Sequence, residues 1–164
     1  MKILKVLQKD EHINEVSPLL YDFRQELAIL KNRRLTYTLT DAEQELSEYF
    51  SPEYEVYISV NYKLVTGYAI LKIFDETVWL EQLYVMKNQR RNGIASALLD
   101  KANSRAKEYG KETAFINVHP NNYKMIKFLA SQGYNVLNLI EIRKLYNNEK
   151  LDTRIQVGES SFLY

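Results

Sequence analysis

The sequence lacks cysteine altogether, has only 5 glycines among 164 residues, and contains no long apolar run. Without cysteine there can be no disulfide, no zinc site built on thiolates and no nucleophilic thiol. No apolar stretch approaches the roughly 18 residues of a membrane span, and the N-terminus becomes charged too early for a signal peptide. We therefore expect a soluble, cytoplasmic protein with no metal site and no membrane partner.

An excess of charge is also missing. The formal net charge is +1, from 22 Lys and Arg against 21 Asp and Glu. Such a balance predicts no general attraction to nucleic acid, so any recognition through charge must be local.

The sparse glycines exclude two nucleotide-binding motifs. They lie at positions 67, 93, 110, 133 and 158, too far apart for a dinucleotide fingerprint, which needs three glycines within six residues. A P-loop needs Gly-Lys-Ser/Thr before its helix, whereas Gly93 is followed by Ile94 and Ala95.

The sequence does contain 46% hydrophobic residues, which is enough for a single hydrophobic core and predicts one domain. After a short strand, "KILKVLQ", Ser17-Pro18 predicts the start of a first helix, and Thr40 to Glu43 form a capping box that opens a second. From Tyr54 the apolar period changes to two, which predicts a meander of three strands ending at Val85.

The second half of the chain alternates helix and strand. A helix follows Gly93 and ends at Gly110, "TAFINVH" is a strand, a helix runs from Asn122 to Gln132, and "YNVLNLIEIRK" predicts one or two strands. The strand, helix and strand around residues 78–119 predict two parallel neighbours. The class is α/β with a mixed, mostly antiparallel sheet of six to seven strands and about four helices.

The junction between the fourth strand and the third helix, "YVMKNQRRNGIAS", predicts a phosphate site. The first N–H groups of a helix have no partner within it and carry the positive end of its dipole. Gly93 lets a phosphate approach the backbone, and Arg90 and Arg91 add charge-assisted contacts.

Arg90-x-x-Gly93-x-Ala95 after "LYV" resembles the acetyl-coenzyme A signature R/Q-x-x-G-x-G/A of the GNAT superfamily of N-acetyltransferases. "VHPNNYKMIKFLASQGY" resembles the family's later block, and the element order, with Gly67 in the third strand, matches from about residue 2 to residue 145. The resemblance implies a sheet splayed between its fourth and fifth strands. It also implies transfer of an acetyl group from acetyl-coenzyme A to a primary amine by direct attack in a ternary complex.

The resemblance further implies the residues that contact the cofactor. Main-chain groups of the fourth strand face pantetheine, the following turn and helix hold the pyrophosphate, and an asparagine lies near the pantetheine amide or thiol. In that order they are Leu83, Tyr84 and Val85; Arg90, Arg91, Asn92, Gly93, Ile94, Ala95 and Ser96; and Asn122.

For the catalytic base we consider two residues. Strand alternation predicts that Glu81 shares a face with Trp79, Leu83 and Val85, where it serves as a base through water or as a structural, paired carboxylate. His119 is the other candidate, provided that its strand stays regular; otherwise it is a strand-end histidine bonded to backbone.

One departure from the family affects the acid. Leu129 stands where the resemblance implies a tyrosine that protonates the leaving thiolate, and Tyr123 or Tyr134 can substitute for it. An alternative function is therefore a non-catalytic sensor or partner module that binds acyl-coenzyme A.

The acceptor is the least defined part of the prediction. The resemblance implies that the acceptor is held mainly by the connection between the first two helices and by the chain joining the last strands. In the first of these, Arg33 and Arg34, with Arg24 before them, suit an acidic acceptor or are merely solvated. We expect an amine-bearing small molecule or a peptide N-terminus. Residues 1–146 form the predicted domain. Residues 147–164 form an extension that adds either a strand or a dimer contact, and in the second case the protein is a homodimer.

Overall fold

The computed structural model describes residues 1–164, which form two compact units, Met1–Asn117 and Val118–Tyr164. The first unit contains β1 (Lys2–Val6), α1 (Ile13–Leu30), α2 (Leu39–Glu48), β2 (Tyr54–Asn61), β3 (Leu64–Phe74), β4 (Thr77–Val85), α3 (Ile94–Glu108) and β5 (Phe115–Ile116). The second contains α4 (Tyr123–Ser131), β6 (Arg154–Val157) and β7 (Ser160–Leu163). None of the four helices has the length and apolarity that a membrane span needs.

The sheet of the first unit has the strand order β1-β2-β3-β4-β5. The first four strands are antiparallel neighbours, and β5 is parallel to β4. The predicted α/β class and the parallel pair around α3 are confirmed. The sheet has five strands rather than the six or seven predicted.

The two faces of this sheet are covered by different helices. One face packs against α1 and α2 in a core that includes Leu20, Ile58, Tyr68, Ile70 and Tyr84. Gly67 is next to Tyr68 in β3 and therefore points to the other face, where the nearest atoms include a methyl group of Ile94 in α3. The helix α3 therefore covers the second face, and its stripe of Leu98, Leu99, Ala102 and Ala106 is buried.

The first helix begins one turn earlier than predicted. Its N-cap is His12, and Ser17 and Pro18 lie inside the helix. A turn closed by the bond from the Ile13 N–H to the Asp10 carbonyl, 3.1 Å long, leads directly into the helix. Pro18 is the sixth residue of the helix, and its missing N–H removes the helical hydrogen bond to the Asn14 carbonyl.

The capping box of α2 is also shifted, from Thr40 and Glu43 to Thr38 and Asp41. The Thr38 hydroxyl accepts a hydrogen bond from the Asp41 N–H at 3.2 Å, and the Asp41 carboxylate accepts one from the Thr38 N–H at 2.8 Å. Both tetrads fit the pattern. The earlier one is used because Thr38 already has the extended backbone of an N-cap, with φ −104° and ψ 172°.

The second unit contains one clear departure from prediction. Residues 134–144, predicted as one or two strands, form no strand, and Val136, Leu137, Leu139 and Ile142 are exposed. A strand needs a neighbour to bond with, and the two-stranded sheet of this unit consists only of β6 and β7. That hairpin lies in the tail from residue 147 onwards, and it turns at Gly158 with a φ of +58°.

A buried carboxylate fastens α3 to the sheet. Glu55 accepts hydrogen bonds from Arg105 Nε and Nη2 at 2.8 Å each, from Lys5 Nζ at 2.7 Å and from the Tyr57 hydroxyl at 2.7 Å. Burial alone would raise the pKa of Glu55. The bonds from these three partners outweigh it and lower the pKa from 4.5 to about 2.

This pKa predicts a specific loss of stability in acid. Because the folded-state pKa of Glu55 is depressed, its contribution is present above pH 4.5 and is lost as the pH falls towards about 2. Glu55→Gln should cost about 3 kcal/mol of unfolding free energy at pH 7, since it takes the buried counter-charge away from the largely buried Arg105 guanidinium. Between pH 7 and pH 2 the melting temperature should fall less in the variant than in the wild type. Plots of melting temperature against pH that run parallel for the two proteins would contradict the depressed pKa of Glu55.

Candidate active site

A gap opens in the sheet beyond the short pairing of β4 with β5. The two strands pair only at Trp79 with Phe115 and at Leu80 with Ile116. From Glu81 to Val85, β4 therefore has no β5 partner, and we call this stretch the notch. Since the notch lies at the carboxyl end of two parallel strands, its backbone N–H and C=O groups can bond an extended ligand as a further strand would.

A β-bulge lies at the start of the notch. Gln82 pairs with Ile70 of β3, but Leu80 pairs with the next residue, Leu71, so Glu81 is an extra residue without a partner on β3. Bulges bend a strand and redirect its side chains, and they occur often beside active sites.

The bulge overturns the predicted alternation along β4. Trp79 is opposite Lys72 and Leu83 is opposite Ala69, and residues directly opposite each other share a face of the sheet. Lys72 and Ala69 are an odd number of residues apart on a regular strand, so they point to opposite faces. Trp79 and Leu83 therefore do as well, and the prediction that both share one face with Glu81 was wrong.

Glu81 itself is exposed and takes part in none of the ion pairs of the structure. Glu81 therefore has no ion-pair partner, and the interpretation of this residue as a paired, structural carboxylate is not supported. Its carboxylate is accessible to water at the point where the notch begins, which a base acting through water requires.

After β4 ends at Val85, the chain turns sharply before α3 begins at Ile94. A 3₁₀ turn at Lys87–Gln89 is followed by Arg91 with φ +69° and by Gly93 with φ +76°. Gly93 is the N-cap of α3 and supplies no side-chain acceptor to the first N–H groups of the helix. A Cβ at Gly93 would meet nothing within 4 Å, so the space in front of the helix is open, as an anion site requires.

The two arginines of this turn have different surroundings. Arg90 Nε donates to the Val85 carbonyl at 2.9 Å, and Nη2 donates to the Glu26 carboxylate at 2.8 Å. The guanidinium of Arg90 also lies 5.3 Å from the centre of the Tyr84 ring. Arg91, in contrast, is exposed and belongs to no ion pair.

Glu26 of α1 was not predicted as part of this region. It accepts from Arg90 and from the Tyr84 hydroxyl, the latter at 3.1 Å. Burial, followed by the charge of Glu26, raises the pKa of Tyr84, so the hydroxyl stays protonated and donates. The Arg90–Glu26 pair fastens the turn to α1, and no local signal reveals it because 64 residues separate the partners.

A second group that sequence reasoning missed lies on the α1 and α2 face of β4. Glu45 of α2 and Gln82 of β4 are joined by a hydrogen bond of 3.0 Å between Gln82 Nε2 and Glu45 Oε1. A signal for Glu45 was available: this carboxylate interrupts the apolar stripe of Ala42, Leu46 and Tyr49 on α2.

The remaining predicted residues belong to the second unit. The strand β5 ends at Ile116, so His119 lies beyond any strand, and the regular strand on which its role as a base depended is not formed. Its Nδ1 accepts from the Asn121 N–H at 3.2 Å. Asn122 is the N-cap of α4, and its Oδ1 accepts from the Met125 N–H at 3.2 Å, which leaves the amide NH₂ for another contact.

The tyrosine position of the family is filled by a packed leucine. Leu129 is 6% exposed and is the buried residue of α4. Tyr123 is exposed, and its hydroxyl lies 3.1 Å from that of Tyr164. Leu129 has no proton to donate.

Comparison with known structures identifies similar folds. A probable acetyltransferase has a TM-score of 0.71 at 19% identity, with 92% of this chain and 100% of that chain covered. The aminoglycoside N-acetyltransferase AAC(6')-Iy, solved with CoA, has a TM-score of 0.68 at 17% identity, with 87% and 93% covered. A ribosomal-protein-alanine N-acetyltransferase from Brucella melitensis biovar Abortus 2308 has a TM-score of 0.68 at 16% identity, with 88% and 98% covered.

Sequence comparison is more specific about the family. Among curated protein sequences none matches significantly. The sequence model described as "Acetyltransferase (GNAT) family" matches residues 20–134, which include the C-terminal part of α1 and all of α2, the notch, the turn and α4. Because this match spans well over half of the chain, the protein belongs to the GNAT family of acetyltransferases.

Proposed function

We propose that the protein is an N-acetyltransferase that moves the acetyl group of acetyl-coenzyme A to a primary amine within a ternary complex. The observation that supports this most directly is the continuity of the notch with the open N-terminus of α3. A ligand with a strand-like arm and a pyrophosphate fits that combination of groups. In this proposal residues 1–146 form the acetyltransferase domain.

The cofactor binds through backbone more than through side chains. Leu83, Tyr84 and Val85 offer main-chain groups to pantetheine along the notch. The N–H groups from Asn92 to Ser96 and the side chain of Arg91 hold the pyrophosphate, where the helix dipole adds attraction. Arg90 acts on the shape of the turn through Glu26 and Val85, and Asn122 offers its remaining amide protons. Similar folds that were solved with CoA and with a CoA bisubstrate analogue support the choice of cofactor.

The chemistry needs a base, an oxyanion donor and a leaving thiolate. Glu81 accepts the proton of the acceptor ammonium through a water, and the freed amine attacks the thioester carbonyl carbon. A carbon–nitrogen bond forms, a backbone N–H near Leu83 or Tyr84 bonds the oxyanion, and the carbon–sulfur bond then breaks. Because a thiol has a pKa of about 8.5, the thiolate can leave without a dedicated acid and take up, through water, the second proton that the attached nitrogen loses as the amide forms. This fits Leu129 at the tyrosine position.

The acceptor belongs to the class of primary amines. Similar folds include an aminoglycoside acetyltransferase and a ribosomal-protein-alanine acetyltransferase, so a small amine and a peptide N-terminus are both to be tested. The protein has no cysteine, so a thiol reagent will report only the coenzyme A that is released. Release should appear with at least one of three probes: kanamycin, spermidine, or peptides that begin with alanine or serine. Mass spectrometry should then find one acetyl group on that amine. Binding of acetyl-coenzyme A without turnover of any amine would instead support the sensor function.

Gly93→Val should weaken acetyl-coenzyme A binding by roughly 100-fold, because losing charge-assisted hydrogen bonds at the pyrophosphate costs about 3 kcal/mol. The branched side chain would occupy the open space before α3 and strain a backbone with a φ of +76°. Calorimetry measures the affinity.

Gly110→Val is the matched control for this variant. Gly110 follows the other end of α3, has a φ of +73°, and likewise has nothing within 4 Å of its Cβ position. It should lose similar stability and keep full affinity. If the two variants bind acetyl-coenzyme A with equal affinity, then the pyrophosphate does not bind at the turn before α3.

A further inference from the structure

The residue after the bulge, Gln82, is held at three points. Its side chain lies on the α1 and α2 face, and the residue is only 5% exposed. Nε2 donates to Glu45 Oε1 at 3.0 Å and to the Tyr49 hydroxyl oxygen at 2.7 Å, while Oε1 accepts from the Tyr68 hydroxyl at 2.8 Å. Both amide protons and the amide oxygen are therefore used, which leaves Gln82 a single orientation.

Glu45 is the centre of the group that holds Gln82. Its carboxylate accepts from Arg24 Nε at 3.0 Å and also from Arg24 Nη2, from the Tyr37 hydroxyl at 2.6 Å and from the Tyr49 hydroxyl at 3.0 Å. Burial raises the pKa of Glu45, but the bonds from Arg24 and Tyr37 outweigh it and the net shift is downward. Glu45 is thus an ionised acceptor with every site occupied, and it has no capacity left to bind a substrate amine.

We infer that Glu45 and Gln82 are positioning residues for acyl transfer, which hold the β4 bulge and thereby the direction of Glu81 and of the notch. The inference rests on the proposed function. At the bulge the ladder to β3 supplies no partner for Glu81, and the pairing with β5 has already ended at Leu80. The side chain of the next residue is then what fixes the backbone at this point.

The composition of the group supports a role in positioning rather than in stability alone. Arg24 and Glu45 are partly buried, at 31% and 16% side-chain exposure. Even a fully buried ion pair can often be replaced by apolar residues of the same size without loss of stability, so this pair is not needed to fill space. A fully satisfied polar network does impose one geometry on its members. The same network also holds Tyr37 in the connection between α1 and α2, so this connection and the bulge share one support.

The chain contains a matched control for this network. Glu55 is likewise a carboxylate bonded by an arginine and a tyrosine, with a lysine in addition, but it lies on β2 and none of these partners belongs to β4. Glu45→Gln and Glu55→Gln should therefore both reduce stability. Only Glu45→Gln should alter the bulge.

The first arm of the test is kinetic and uses acetyl-coenzyme A with whichever of the three probes gives the fastest turnover. Glu45→Gln should lower kcat by roughly 100-fold, as expected for a misplaced reacting group, with little change in acetyl-coenzyme A affinity. Glu55→Gln should keep kcat per folded molecule. The double exchange Glu45→Gln with Gln82→Glu should recover part of kcat, because the new amide at position 45 can donate to the new carboxylate at position 82.

The second arm needs no substrate. After the change in global unfolding free energy of each variant is subtracted, hydrogen–deuterium exchange of residues 78–85 should be faster in Glu45→Gln than in Glu55→Gln. Unchanged exchange at the bulge in Glu45→Gln would overturn the inference. So would faster exchange with a kcat per folded molecule equal to that of Glu55→Gln, since the network would then be only structural.

The two arms also separate this inference from the proposed function. A wild-type protein that binds acetyl-coenzyme A but acetylates no amine would overturn the proposed function and, with it, the catalytic part of the inference. The exchange data would still decide whether Glu45 and Gln82 hold the bulge.

Discussion

Glu81→Gln is expected to lower kcat by roughly 10²–10⁴ while leaving acetyl-coenzyme A affinity and stability nearly intact. The amide cannot accept the proton of the acceptor ammonium, so the step before attack is lost. Stability should be preserved because Glu81 is exposed, lies at the bulge and belongs to no ion pair. Steady-state kinetics, calorimetry and thermal melts on the same preparation measure the three quantities.

Glu112→Gln is the control for this variant, because Glu112 is likewise an exposed glutamate, in the turn after α3. It removes the same charge without touching β4, so kcat should stay unchanged. A normal kcat in Glu81→Gln would exclude Glu81 as the base. An equal loss in both variants would point to a general effect of net charge.

Gly67→Ala is expected to destabilise the protein by about 3 kcal/mol, the upper end of the usual cost of overpacking a core. A Cβ at Gly67 would lie 2.7 Å from the Tyr84 carbonyl oxygen and 3.2 Å from a methyl group of Val85. The oxygen belongs to the backbone of β4, so relief requires moving that strand at the notch. A chain of this size should lose roughly 6–12 °C in Tm, and acetyl-coenzyme A affinity per folded molecule should fall because Tyr84 and Val85 shift.

Gly133→Ala separates the close contact from the general cost of replacing a glycine. Gly133 follows α4 with a φ of +88°, and a Cβ there meets nothing within 4 Å. It should cost about 1–2 kcal/mol, from left-handed backbone strain alone. If Gly67→Ala costs no more than Gly133→Ala and binds the cofactor normally, then β4 adjusts freely and the notch does not depend on this contact.

The sequence by itself predicted the elements whose signals are local. The alternation from Tyr54 to Val85 predicted the meander, Gly93 and Gly110 bounded α3, and Asn122 opened α4, all as the structure has them. The family signature at residues 90–95 is equally local, so family membership was visible before the fold. Where two local signals competed, as at Thr38 and Thr40, the pattern could not choose, and the predicted boundary was displaced by two residues.

Tertiary structure alone decided the parts on which the proposed chemistry depends. The bulge at Glu81 follows from how β4 pairs with β3, and a period-two pattern read along one strand contains no information about its neighbour. The partners Arg90 with Glu26 and Glu45 with Gln82 are 64 and 37 residues apart, so a side chain predicted to face a ligand can instead be held by the protein. The strand-like pattern of residues 134–144 gave no strand, because a strand also requires a neighbour, which only the folded chain can supply.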